Sequence, residues 1–146
     1  MWESKIKTMN ILFYLLPKNK VDYLFSDFTV RQAVEKMKEK RFLMLPIIDK
    51  KNGKYLKTIQ FYDFLDYLSI HQLSFQDLEM DLLSDIPCSK NIRPVGINCD
   101  VQELYKIIGD QNFVPVVDDE GIFIGIVTRK AVMEEIIKEH LAAKKE

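Results

Sequence analysis

The chain is poor in the residues that most often carry chemistry. It has two cysteines, Cys88 and Cys99, and two histidines, His71 and His140. No CxxC occurs and the histidines lie far apart, so the usual ligand set of a zinc site is missing. Two cysteines outside any disulfide framework read as reduced thiols and point to a cytoplasmic protein. Only five glycines occur, none in GxGxxG or GxxxxGK, which excludes the common phosphate-cradling loops. No nucleophile–base pair stands out either, so an enzyme is not expected and no cofactor is required. Neither sign of charge dominates: 21 Lys and Arg face 22 Asp and Glu, for a net charge of −1. That balance gives no field for nucleic acid or an anionic membrane. The apolar run Ile11–Leu16 falls far short of the roughly 20 residues of a membrane span. Met1–Asn10 has no apolar centre and no Ala-x-Ala follows, so no signal peptide is visible.

What the chain does have is one pattern written twice. Residues 42–49 read FLMLPIID and residues 111–118 read QNFVPVVD. Each is an apolar run broken by a proline and closed by an aspartate, and the prolines stand 115 − 46 = 69 residues apart. Each run leads into a Gly-bearing turn (Lys50-Lys51-Asn52-Gly53; Asp118-Asp119-Glu120-Gly121), a second apolar run and a helical pattern. A repeat of this length marks two copies of one supersecondary unit. The site is then expected between the copies.

The elements follow from period and caps. A polar lead (residues 1–8) precedes a short helix over 9–17 that Pro17 ends. Val21–Leu24 reads as a short strand. Thr29-Val30-Arg31-Gln32 has capping-box form, and Val30, Val34 and Met37, with Ala33, give the stripe of a helix. Leu43–Ile48 reads as a buried strand with Lys54–Gln60 as its hairpin partner. Phe61, Phe64, Leu65 and Leu68 mark a second helix. The second copy repeats the order: strand Ile92–Ile97, an Asp100-capped helix on Val101, Leu104, Tyr105 and Ile108, strands Val114–Val117 and Ile122–Val127, and a helix begun by Ala131, Val132, Ile136 and Ile137. Residues 70–90 read as a helical connection, because they lack glycine and Leu73, Phe75, Leu78, Leu82 and Leu83 need burial. The terminal AAKKE should fray. Each copy is thus β-α-β-β-α, and the fold class is α+β: repeat 1 over 9–69, the connection over 70–90, repeat 2 over 91–141.

This order resembles the cystathionine-β-synthase (CBS) domain, most clearly over Phe113–Val132 (FVPVVDDEGIFIGIVTRKAV). The two copies together resemble a tandem CBS pair, a Bateman module, packed about a pseudo-twofold axis. The resemblance implies a regulatory sensor that binds an adenine nucleotide between the repeats and acts through an as yet unidentified protein target. The implied ligands are AMP, ADP, ATP, S-adenosylmethionine or cyclic di-AMP. It also implies a homodimer of pairs. A second reading is a structural or dimerisation module with degenerate, non-binding clefts.

The resemblance further implies a Thr or Ser at the end of the last strand and an Asp three residues on, contacting phosphate or ribose. One carboxylate can accept from both hydroxyls of a ribose diol, and a helix N-terminus suits a phosphate. Here the pair is divided. The second copy keeps Thr128, followed by Arg129 and Lys130, but has Ala131 in place of the Asp. The first keeps Asp63 but has Gln60 in place of the Thr. Asp63 ranks first for ribose, and Thr128 with Arg129 and Lys130 for phosphate or a ligand without a free diol. Thr128 also reads as a plain helix cap, and Asp63 as an acid suited to the helix dipole. Pro46 and Pro115 mark strand ends or bulges, or by resemblance set their backbone beside an adenine. Ile47, Val116 and Val95 are candidate apolar walls that equally read as core.

Overall fold

The computed structural model describes residues 10–145, apart from the side chains of Phe75, Leu78 and Lys145. The polar lead and Glu146 lie outside the described residues. In chain order the strands are β1 (Leu16–Pro17), β2 (Leu24–Phe25), β3 (Met44–Ile48), β4 (Tyr55–Gln60), β5 (Val95–Gly96), β6 (Phe113–Val117) and β7 (Phe123–Thr128). The helices are α1 (Val30–Lys40), α2 (Phe61–His71), α3 (Val101–Asp110) and α4 (Arg129–Lys145). Both copies are β-α-β-β-α, and the fold is mixed α+β. Contacts divide the chain into two compact units, residues 22–92 and residues 1–21 with 93–146.

In the 22–92 unit the sheet order is β2-β3-β4, with β2 parallel and β4 antiparallel to β3. The Thr29 capping box forms as expected. Thr29 Oγ1 accepts from the Gln32 N–H at 3.2 Å and Gln32 Oε1 from the Thr29 N–H at 3.0 Å. The α1 stripe of Val30, Ala33, Val34 and Met37 is buried against Leu24, Leu45, Ile47, Ile59 and Phe64. Full burial of a Val- or Met-sized side chain contributes roughly 1.5–3 kcal/mol, so this stripe holds α1 on the sheet. Residues 70–90 form no continuous helix. They make two 3-10 turns, Phe75–Glu79 and Leu83–Asp85, tied to α1 by the Thr29–Leu82 bridge. Leu83 is buried as expected, Leu82 is exposed, and Phe75 and Leu78 fall outside the described side chains. The first of these segments packs on α1.

In the other unit the sheet has four strands, β1-β7-β6-β5. The extra strand corrects the reading of residues 9–17. Only one 3-10 turn forms, Ile11–Tyr14, and Leu16–Pro17 then pairs antiparallel with Ile126 and Gly125. Ile11 and Tyr14 are buried in this unit's core with Val95, Leu104, Val114, Val116, Val127 and Val132. Ile11–Pro17 therefore packs with residues 93–146. Pro17, read as a helix stop, sits on an edge strand, where the lack of an N–H costs little. A Cβ at Gly125 would collide with the Leu16 carbonyl oxygen and Leu15 Cδ1, so glycine is what admits β1. The tail AAKKE, expected to fray, continues α4 to Lys145, as Ala and Lys favour helix and a late Lys suits the dipole.

The paired aspartates of the repeat hold turns. Asp49 Oδ1 accepts from the Lys51 N–H at 2.7 Å, and Asp118 Oδ1 accepts from Glu120 and Ile122, both at 2.9 Å. Gly53 and Gly121 take φ of 77° and 83°, which these turns require and glycine adopts without strain.

Candidate functional site

The β4–α2 junction carries the carboxylate ranked first from the sequence. Asp63, in the first turn of α2, is 4% exposed. Its Oδ2 accepts from the Gln60 backbone N–H at 2.8 Å, which closes the helix start. Its Oδ1 accepts from the Ser89 backbone N–H at 3.1 Å and from the Ser89 hydroxyl at 2.7 Å. Gln60, where the resemblance expects a Thr, directs its amide to the Ser89 hydroxyl at 3.5 Å. The carboxylate is therefore already engaged by the chain itself.

The engaged segment is held at further points by β4. Lys57 Nζ donates to the carbonyls of Ile86 at 2.8 Å and Ser84 at 3.2 Å. The Tyr55 hydroxyl donates to the Ile92 carbonyl at 2.9 Å and lies 2.7 Å from the buried Thr58 hydroxyl. Burial pushes the Tyr55 phenol up to about 12, against the pull of the Thr58 hydrogen bond. Cys88, inside the same segment, has its thiol pushed up to about 11 by burial, with Lys57 pulling it down and Asp63 pushing it up.

At the β7–α4 junction, Thr128 lies opposite Phe113 and is half-buried. Its Oγ1 accepts from the Ala131 N–H at 3.1 Å, as an N-cap does, and among the described residues its hydroxyl hydrogen meets no acceptor. Arg129 is directed elsewhere. Its Nε donates to the Ile108 carbonyl at 2.9 Å and its Nη2 to Gly109 at 3.3 Å, so the guanidinium caps the C-terminus of α3. Ala131, half-buried, offers only its backbone.

Pro46 and Pro115 are buried in the middle of β3 and β6, opposite Thr58 and Ile126. They are not at strand ends; each irregularity in register falls one residue later, at Ile47/Ile48 and Val116/Val117. A central-strand proline is tolerated because β2 and β5 begin only at the level of Ile47 and Val116, so no ladder donor is needed at either proline. Ile47, Val116 and Val95 are core residues, and Val95 pairs directly with Val116. An open depression of about 440 Å³ is lined by Arg93, Asp100, Gln102, Glu103, Lys106 and Ile107. Its two cations face two carboxylates, so it offers no net field to a phosphate, and none of the expected site residues lines it.

Sequence reasoning missed Ser89, Lys57 and Tyr55, which join the site through contacts 26 to 37 residues away in the chain. One signal was present: Pro17-Lys18-Asn19-Lys20 before the first copy is matched by Pro87-Cys88-Ser89-Lys90 before the second. The two lead segments are thus repeated as well. Among the described residues no group of three or more His, Cys, Asp or Glu is placed to hold a metal. No helix among them is long and apolar enough to cross a membrane.

The architecture is shared with known proteins. A CbpB protein solved in complex with cyclic di-AMP matches 99% of this chain and 96% of its own, at 22% identity and a TM-score of 0.89. CBSX2, solved in complex with AMP, matches 88% of this chain and 96% of its own, at 22% identity and a TM-score of 0.69. The uncharacterized protein MJ1225 of Methanocaldococcus jannaschii is 23% identical over 129 residues, 81% of this chain and 46% of that protein. The chain spans about half the length of that curated relative. The family model of the CBS domain matches twice, over residues 15–70 and 83–138, and the chain therefore belongs to the CBS-domain family, with two CBS domains in tandem.

Proposed function

We propose that this chain is a cytoplasmic, non-catalytic regulator that binds an adenine nucleotide and passes that binding to a protein partner. The observation that carries the reading is Thr128. It ends β7 half-buried at the start of a long helix and keeps a hydroxyl hydrogen to donate, on a fold shared with proteins solved with cyclic di-AMP and AMP. The second copy is the favoured site, because the Asp63 carboxylate of the first is engaged internally. The regulator acts as a homodimer. Met133, Ile137 and Leu141 are exposed at one per turn along α4, and Tyr62, Leu65 and Ile70 are exposed on α2, as unpartnered apolar faces tend to mark interfaces.

The test is thermal melting of nucleotide-free protein with AMP, ADP, ATP, S-adenosylmethionine and cyclic di-AMP. A ligand at 100 times its dissociation constant adds about 2.7 kcal/mol. For a chain of this size that is a rise of several degrees. A second reading, a dimerisation module without ligand, is favoured by the engagement of Asp63 and Arg129 and by Ala131. Under it, no nucleotide moves the melting temperature.

A further inference from the structure

A ribose with free 2′- and 3′-hydroxyls is held best by one shielded carboxylate that accepts both hydrogens. Among the described residues Asp63 is the one buried carboxylate. A carboxylate has about four lone-pair positions. Gln60 N–H, Ser89 N–H and Ser89 O–H fill three of them, leaving one where a diol needs two. Ser89 brings a hydroxyl and an N–H to a single oxygen, a donor set much like that of the diol itself. The segment does not yield easily, because Lys57 and Tyr55 hold its carbonyls on either side of Ser89. In the second copy the equivalent position carries no carboxylate: the registers match Lys57 with Gly125, and six residues on, Asp63 with Ala131.

We infer that the Asp63–Ser89 pair and Ala131 set the specificity of this chain by withholding a diol receptor from both copies. The nucleotide it takes is one whose recognition does not use a free 2′,3′-diol, as when the 3′-oxygen is esterified in a cyclic dinucleotide. The inference rests on the nucleotide reading above and narrows it.

Isothermal titration calorimetry of the full nucleotide-free chain tests it with three probes: cyclic di-AMP, AMP and 3′-deoxy-AMP. Cyclic di-AMP is expected to bind, with AMP and 3′-deoxy-AMP weaker and equal to each other within about twofold, since no acceptor reads the 3′-hydroxyl. Ala131→Asp supplies a carboxylate where a helix start favours one, and is expected to raise AMP about tenfold over 3′-deoxy-AMP. Ser89→Ala frees part of Asp63 and should move the ratio the same way. A wild-type preference of tenfold for AMP over 3′-deoxy-AMP overturns the inference and leaves the nucleotide reading standing. Failure of all three probes while ADP, ATP or S-adenosylmethionine binds overturns the inference alone, since those ligands carry a free diol; failure of every one of them removes the nucleotide reading, and this inference with it.

Discussion

Replacing Asp63 with alanine separates a structural carboxylate from a ligand-binding one. The substitution removes the acceptor for three hydrogen bonds, at 2.8, 3.1 and 2.7 Å. Hydrogen bonds to a charged group contribute about 1.5–3 kcal/mol each. Ser89 is exposed, so its two donors recover water once released, and their loss costs less than the full amount. The Gln60 N–H is part-buried at the helix start, where losing a cap costs about 1 kcal/mol. The expected total is about 3 kcal/mol, which at roughly 2–4 °C per kcal/mol lowers the melting temperature by about 6–12 °C. Ser89→Ala loses the hydroxyl that donates to Asp63 and accepts the long bond from the Gln60 amide, and should cost about 1 kcal/mol. Because the two side chains touch, the double variant should cost less than the sum of the singles. Differential scanning calorimetry of the four proteins gives the cycle. An Asp63→Ala protein that melts like the wild type but loses affinity for AMP would refute the reasoning, since the carboxylate would then serve a ligand.

Other consequences follow from the same contacts. Gly125→Ala drives a methyl group into the Leu16 carbonyl and should displace β1 from β7 at a cost of about 1–3 kcal/mol, read by denaturant unfolding and by faster hydrogen exchange at residues 16–17. Tyr55→Phe loses the bonds to Ile92 and Thr58 and should cost about 1–2 kcal/mol by the same unfolding measurement. Both thiols are pushed up to about 11, mainly by burial, so alkylation of the folded protein near pH 8 should be far slower than of the unfolded chain. For Cys88 and Tyr55 the folded values lie above the ordinary ones. The stability tied to their protonated forms is present at neutral pH and lost as pH rises through about 11 and 12, so denaturant midpoints should fall above pH 9.

The core of each copy was legible because its signals are local. The runs around Pro46 and Pro115 became β3 and β6, the Thr29 box and the Asp100 cap start helices where expected, and Gly53 and Gly121 mark the hairpins. What escaped is nonlocal. Leu16–Pro17 is too short to show a strand period, and its partner lies beyond residue 120. The segment 70–90 is ordered through Leu83 and Ile86 in the core and through the clamps of β4, not by helical periodicity. At the site, Asp63 and Thr128 were found as residue types at the right junctions. Their occupancy was not legible, because a lone exposed serine and a lysine on a strand give no sign that one will take the carboxylate and the other will fix the backbone beside it.

Equilibrium dialysis of the nucleotide-free chain against cyclic di-AMP, with Thr128→Val in parallel, tests the regulatory reading most directly. Saturable binding by the wild type, weakened in Thr128→Val while the variant stays folded, is the expected result. No binding by the wild type at ligand concentrations well above those of the protein, for this nucleotide and for AMP, ADP, ATP and S-adenosylmethionine alike, would contradict it and leave the dimerisation module as the function of the fold.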